Sequence, residues 1–295
     1  MKKLLQPAFD FLLFSNIFMG LCAVAQGLLT LYLIGSKPIY PVAGLLFTST
    51  IGIYNFCILV SKPAQPEKSA YKRIRWFFAH YRLMVTITIV SILALVPLFF
   101  LVSGSSRILL IFLGVISFAY GLPLFAMGDK KFGLRNIPGL KLFLITLVWT
   151  MSCVLLPILE AQSDQQIFIS MRDTTILIAK RFLFIAAIAI PFDIRDLFED
   201  KQLGLKTIAV AWGEKKAYLF CQALLFGYVV LLFLFRHQGF DIDFIALTLS
   251  IVLAGWLIFR SEWERNEYFY FFYLDGVLIL QYLFVIAFNH LSVYL

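Results

Sequence analysis

The chain has 295 residues, of which 61% are hydrophobic and 14% charged, with a mean hydropathy of +0.90 and a formal net charge of +8. A soluble domain is nearer half apolar and a quarter charged, so these proportions exclude one and indicate a polytopic membrane protein. In such a protein a positive balance reflects the bias of cytoplasmic loops, so no nucleic-acid partner is expected.

In chain order, nine apolar stretches are long enough to cross a bilayer, at about 8–34, 39–61, 82–102, 107–127, 141–160, 174–193, 215–235, 243–260 and 268–291. The first follows Met1-Lys2-Lys3, is too long for a signal-peptide core and has no small-residue cleavage site. Lys37-Pro38 separates it from the second. Three long joins, 62–81, 128–140 and 194–214, follow the second, fourth and sixth spans, which puts all three on one side. The same side carries Lys2, Lys3, Arg260 and Arg265 as well as the loop lysines and arginines, while Lys37, Arg107, Arg172 and Arg236 mark the other. This asymmetry predicts a cytoplasmic N-terminus and cytoplasmic long joins, with Leu295 outside, in a cell membrane of the bacterial inner-membrane kind. Spanning segments must satisfy their backbones internally and barrel alternation is absent, so the predicted fold is all-α, one helical bundle over 1–295. Cys22, Cys57, Cys153 and Cys221 lack metal spacing and read as small hydrophobes, and no pair among His80, His237 and His290 has metal spacing either.

Chemistry concentrates between Pro191 and Gly213, PFDIRDLFEDKQLGLKTIAVAWG. Asp193, Asp196 and Asp200 recur at i, i+3 and i+7, a spacing that places three carboxylates on one helical face. Carboxylates so close repel unless a cation sits among them, and Mg²⁺, which bridges carboxylate to phosphate, is one candidate. Arg195, Lys201 and Lys206 are interleaved with the acids, and Thr207 can cap a helix or bind phosphate. Charge pattern alone fits a solvated, salt-bridged loop as well as a diphosphate site.

The pattern D-x-x-D-x-x-x-D-x-x-x-G-x-x-T, made by Asp193, Asp196, Asp200, Gly204 and Thr207 and followed by Trp212-Gly213, resembles the second aspartate-rich motif of the UbiA-type membrane prenyltransferases. Its place at the end of the sixth span, the nine spans, and Tyr120-x-x-Pro123 at the end of the fourth are similar to that family too. The resemblance implies an isoprenoid diphosphate held through Mg²⁺ by two facing aspartate motifs, and transfer of its isoprenyl group to a lipophilic acceptor, aromatic or quinone-type. On that basis Asp193, Asp196 and Asp200 would be the catalytic metal ligands. Asn55, Tyr120, Arg135, Lys141, Arg195 and Lys201 would contact substrate, and the apolar bundle, in contact with membrane lipid, would hold the tail.

The family's first motif, N-D-x-x-D-x-x-x-D, should close the second span, but only Asn55 matches. Phe56, Leu59 and Pro63 stand in place of its acids, and Glu67 is the one acid in the 62–81 join. Three readings stay open: a diphosphate bound through one metal and the basic loops, a different substrate, and a catalytically inactive bundle that binds a prenyl lipid or scaffolds partners.

Asp275, in the ninth span, is a further candidate for the cavity, because an intramembrane acid is costly unless it is paired or functional. Lys180 and Arg181 lie within the sixth span and are expected to pair with an acid or reach outward. Asn16, Gln26, Gln222 and Gln281 are expected to hydrogen-bond between helices. The basic residues Lys68, Lys72, Arg73 and Arg75 after the second span, and Lys130 and Lys131 after the fourth, would ring the acidic cluster. The aromatic stretch 263–273 reads as an interfacial belt or as a stacking surface.

Overall fold

The computed structural model describes residues 2–122, 125–127, 130–132, 134, 137, 139–165, 167–202, 204, 207–235, 241–264 and 266–292. Among them the chain is almost entirely helical: α1 (Lys2–Phe14), α2 (Ile17–Leu33), α3 (Tyr40–Val60), α4 (Lys72–Ala79), α5 (Tyr81–Phe100), α6 (Gly104–Gly121), α7 (Leu140–Thr150), α8 (Leu156–Asp164), α9 (Met171–Arg195), α10 (Leu197–Gln202), α11 (Ile208–Trp212), α12 (Glu214–Leu234), α13 (Ile242–Arg260) and α14 (Asp275–Ser292). A two-stranded antiparallel pair, β1 (Phe125–Met127) and β2 (Lys130–Phe132), lies between α6 and α7.

Among the described residues eight helices are long and apolar enough to cross a membrane, and Leu5–Phe14 of α1 with α2, bent by 61°, makes a ninth if the pair is taken as one span. The chain is therefore an integral membrane bundle. Two predicted spans are corrected. The first is not one straight helix: it breaks at Ser15-Asn16, where Asn16 adopts the left-handed conformation with φ 66. Asparagine tolerates that region better than most residues because its side chain bonds locally. The fourth ends at Gly121 instead of running to 127, and Phe125–Met127 pairs as a strand.

α9 is central, with 56% of its most apolar stretch buried, against 11% for α6. It packs on α12 and α7, while α2 packs on α3 and α14. Phe184, Ile190, Leu156, Ile158, Leu29 and Leu274 fill the core between these helices. α5 and α6 turn Ile89, Val90, Leu93, Ile108, Phe112 and Val115 outward. Apolar side chains exposed all along a spanning helix are a lipid-facing surface. Two helices contain a wider turn, Met151–Leu155 between α7 and α8 and Phe269–Leu274 before α14. Such turns recur at functional sites because they redirect the side chains that follow; here one contains Cys153 and the other leads into Asp275.

At the end of the bundle away from the long joins, one buried acid ties two helices together. The carboxylate of Glu160 accepts the Ser103 backbone N–H at 3.1 and 3.0 Å and the Ser106 hydroxyl at 2.6 Å. Glu160→Ala would leave those donors buried without partners, at about 1–3 kcal/mol. The expected result is a lower melting temperature in detergent, with Glu160→Gln, which keeps an acceptor, falling between; an unchanged Glu160→Ala melting curve would show that this tie contributes nothing.

Candidate functional site

α9 stops at Arg195, and Asp196 occupies its C-cap before α10 starts. This interruption splits the acidic face expected from the i, i+3, i+7 spacing. Asp193 and Asp200 stay together, both on the ammonium of Lys141 at 2.7 and 3.6 Å. Asp196 turns instead to Arg195, whose Nε donates to Oδ1 at 2.8 Å and Nη2 to Oδ2 at 3.2 Å. The Tyr71 hydroxyl donates to the same Oδ1 at 3.0 Å. Asp193 and Asp200 are buried. Burial pushes the Asp200 carboxyl above its ordinary range; Lys141 opposes that shift, and the charges of Asp193 and Asp196 add to it. Lys141 rises from the first turn of α7, which Gly139 enters in the left-handed conformation with φ 72.

The Arg195 guanidinium sits 5.0 Å from the Tyr270 ring, 5.2 Å from Phe192, 5.4 Å from Tyr71 and 5.5 Å from Phe271. Stacked aromatic faces hold such a cation without a second carboxylate. The opposite wall comes from α4, a short helix in the 62–81 join. The Glu267 carboxylate accepts the backbone N–H groups of Lys72 and Arg73, capping the start of α4. Lys72 bonds Asp10 at 3.0 Å and the Tyr268 hydroxyl, and Tyr268 also donates to Asp10. Arg73 Nη2 donates to Asn16 Oδ1, and Asn16 Nδ2 donates to Asn55 Oδ1 at 2.6 Å. The Arg73 guanidinium lies 4.8 Å from the Phe271 ring.

These groups enclose a cavity of about 210 Å³ whose charged lining is Arg73, Lys141, Arg195, Asp193, Asp196 and Asp275. Next to it is an apolar cavity of about 590 Å³ between α3, α5, α6 and α7, lined by Leu45, Ile92, Phe99, Leu113 and Val148 among others. A third, of about 180 Å³, includes Tyr120 and Leu144. Tyr54 and Trp149 line all three and are joined by a 3.0 Å bond from Trp149 Nε1 to the Tyr54 hydroxyl.

Of the expected site residues, Asp193, Asp196, Lys141, Arg195 and Asp275 meet at the charged cavity, and Asp200 joins them through Lys141. Tyr120 lines the third cavity, of about 180 Å³. Asn55 is fully buried and faces Asn16 rather than the cavity. Lys201 is exposed on α10. Thr207 is used as a helix cap, its Oγ1 accepting the Val210 N–H. Arg135, Lys206, Pro123, Arg236, His237 and Arg265 lie outside the described residues, as do the side chains of Lys130 and Lys131. Lys180 and Arg181 do not pair with acids among the described residues: Lys180 lies 4.5 Å from the Phe235 ring, and Arg181 donates to Thr30 at 3.3 Å. Within the aromatic stretch Tyr268, Tyr270 and Phe271 face the side-chain cations Lys72, Arg195 and Arg73.

Tyr71, Tyr54, Trp149 and Glu267 were not expected at the site. Nothing in their local sequence marks them, because α3, α4, α7 and the segment before α14 meet around the cluster only through the fold.

The donor set does not fit a cage of two divalent ions. Such ions take carboxylates in near-ideal octahedra. Here Asp193 and Asp200 hold an ammonium, Asp196 holds a guanidinium, and α3 contributes no acid to the cavity. Among the described residues no group of three or more His, Cys, Asp or Glu side chains is placed to share a metal ion.

No family model matches the sequence, and no curated protein matches it. Solved structures do. A UbiA homolog from Aeropyrum pernix K1 superposes with a TM-score of 0.64 at 12% identity, covering 94% of this chain and 98% of that one. A UbiA homolog from Archaeoglobus fulgidus bound to GPP and Mg²⁺ gives 0.64 at 12% identity, over 95% and 99%. The Archaeoglobus homolog bound to DMAPP and Mg²⁺ gives 0.52 at 13%, over 96% of both. The chain has the fold of the UbiA homologs over almost its whole length.

Breaking a buried ion pair on one side costs about 3–5 kcal/mol, because the surviving charge is stranded. Lys141→Met is therefore expected to destabilise the protein by roughly that amount, and adding Asp193→Asn should restore part of it. A double-mutant cycle followed by thermal unfolding checks the coupling; strictly additive losses would show that Lys141 and Asp193 act independently.

Proposed function

We propose that this UbiA-fold chain is a membrane-embedded prenyltransferase, moving an isoprenyl group from an isoprenoid diphosphate to a lipophilic acceptor of aromatic or quinone type. A charged cavity sharing its wall with a larger apolar one supports this reading. Arg73, Arg195 and Lys141 suit an anionic head, and the 590 Å³ space behind Tyr54 and Trp149 suits a hydrocarbon tail. GPP and DMAPP bound to the Archaeoglobus homolog are ligands of this shape. The charged end, with its long joins, would face the cytoplasm.

In this reading the guanidinium and ammonium groups hold the diphosphate. The C–O bond to the isoprenyl carbon breaks, and its electron pair leaves with the diphosphate. The allylic cation left behind faces the rings of Tyr54, Trp149 and Phe271, whose π-faces stabilise positive charge while the apolar walls keep water out. The acceptor carbon forms the new bond and gives its proton to a carboxylate, for which Asp275 is placed in the same cavity. Asp196 contributes by holding Arg195 at the head site through two hydrogen bonds and by receiving Tyr71. No step is assigned to Mg²⁺, since the carboxylates it would join already hold Lys141 and Arg195.

One observation favours a second reading, a catalytically silent bundle that binds a prenyl lipid. The cavity's three cations face three carboxylates, so a diphosphate adds negative charge to a lining that is already balanced. Pyrophosphate release separates the two readings. Asp196→Asn, which frees Arg195, is expected to cut release from geranyl diphosphate in membranes by about 10²-fold or more, the usual scale for a lost charge-stabilising contact. Undiminished release in that variant would remove Asp196 from the reaction. Wild-type protein that binds the diphosphate but releases none with any aromatic or quinone acceptor would favour the silent bundle.

A further inference from the structure

We infer, on the reading that the charged cavity takes an isoprenoid diphosphate, that the Arg73 guanidinium serves in place of the metal ion on the α3 side, so that the head group is held by side-chain cations without an obligatory divalent ion.

The α3 end offers a metal nothing. Asn55 is fully buried against Asn16 and does not line the cavity. Phe56 packs edge-on against Phe118 with ring centroids 5.3 Å apart. Glu67 is exposed and off the cavity lining. The charged group that reaches the cavity from this side is Arg73, and it arrives by an indirect route. α3 holds Asn16 through Asn55, Asn16 accepts one arm of the guanidinium, and the Glu267 cap and the Lys72–Asp10–Tyr268 cluster fix the helix that carries it.

The charge of Arg73 is under-compensated. Its Nε is buried with no hydrogen-bond partner, and it forms no ion pair among the described residues. Burial pulls its pKa below the ordinary arginine value; Arg195 pulls the same way, while Tyr54, Asp275 and Glu267 oppose. The other two cavity cations differ, because Lys141 and Arg195 each already have a carboxylate. A half-buried, charged fork whose Nε is an open donor is suited to an anion with two or more oxygens, and guanidinium geometry matches adjacent phosphate oxygens. One positive charge replaces two, which is consistent with a lining that carries fewer free carboxylates than a metal cage.

The test is binding, not turnover. Purified full-length protein in detergent is titrated calorimetrically with geranyl S-thiolodiphosphate, a non-cleavable probe, in excess EDTA and separately in Mg²⁺. Wild-type protein is expected to bind in EDTA with a Kd within about tenfold of that in Mg²⁺. Arg73→Gln is expected to weaken the EDTA binding by about tenfold to a hundredfold, the scale of one lost hydrogen-bonded charge, with Arg73→Lys between. The melting temperature of each variant without ligand, and the binding of Arg73→Lys, separate a lost contact from a lost fold. Binding that needs Mg²⁺ in the wild type, or that is equal in Arg73→Gln and wild type, overturns the inference and leaves the proposed function standing. No binding of the probe in either condition overturns the proposed function itself.

Discussion

Charge inside this bundle has to be accommodated by protein groups, whether carboxylates, hydroxyls or aromatic faces, because hydrocarbon around it offers no solvation. The ammonium of Lys141 between Asp193 and Asp200 meets that constraint and fixes the site. It ties the start of α7 to the last turn of α9 and to α10. It also settles what the acidic cluster is: two carboxylates closed on a lysine, with the third released to orient Arg195. The same constraint shapes the rest of the charged end. Arg195 is stabilised by Asp196 and by four aromatic rings, Lys72 by Asp10 and Tyr268, and the start of α4 by Glu267.

Two neighbouring cavities then separate the charged lining from the apolar one. The charged cavity lies where α9, α7, α4 and α14 meet, and the apolar cavity extends from it among α3, α5, α6 and α7, towards helices whose outer faces are lipid-exposed. Tyr54 and Trp149, bonded to one another, stand at the boundary. An amphiphile with an anionic head and a hydrocarbon tail fits this division, since each part meets its own kind of wall. The wide turn over Phe269–Leu274 has a part in this, because it precedes Asp275 and sets the aromatic side chains against Arg195 and Arg73.

Much of the fold was legible before the structure. Runs of about twenty apolar residues have essentially one stable outcome in a bilayer, a helix, so the spans and the bundle followed. Asp193, Asp196, Arg195, Lys141 and Asp275 were legible as candidates because ionisable residues at the edge of, or within, such runs are rare. The break at Asn16 was not legible, because the polar pair Ser15-Asn16 is a short interruption of the kind a straight span also tolerates, and the backbone torsion there comes only with the structure. The parting of Asp196 from Asp193 and Asp200 was equally hidden, since their spacing fits an unbroken helix face.

By itself the sequence determined that this is a membrane bundle with its charges gathered at one end, because hydropathy and charge act locally and need no partner to be read. Only the tertiary structure decided which charges meet. Lys141 lies some fifty residues from Asp193, Arg73 reaches Asn16 across 57, and Glu267 caps a helix nearly two hundred positions away. Coulombic and hydrogen-bonding contacts act over a few ångströms of space, whatever the distance along the chain. The acids at 193–200 were therefore visible as a cluster from the start, but the cations that define their role came into view only when four helices were brought together around them.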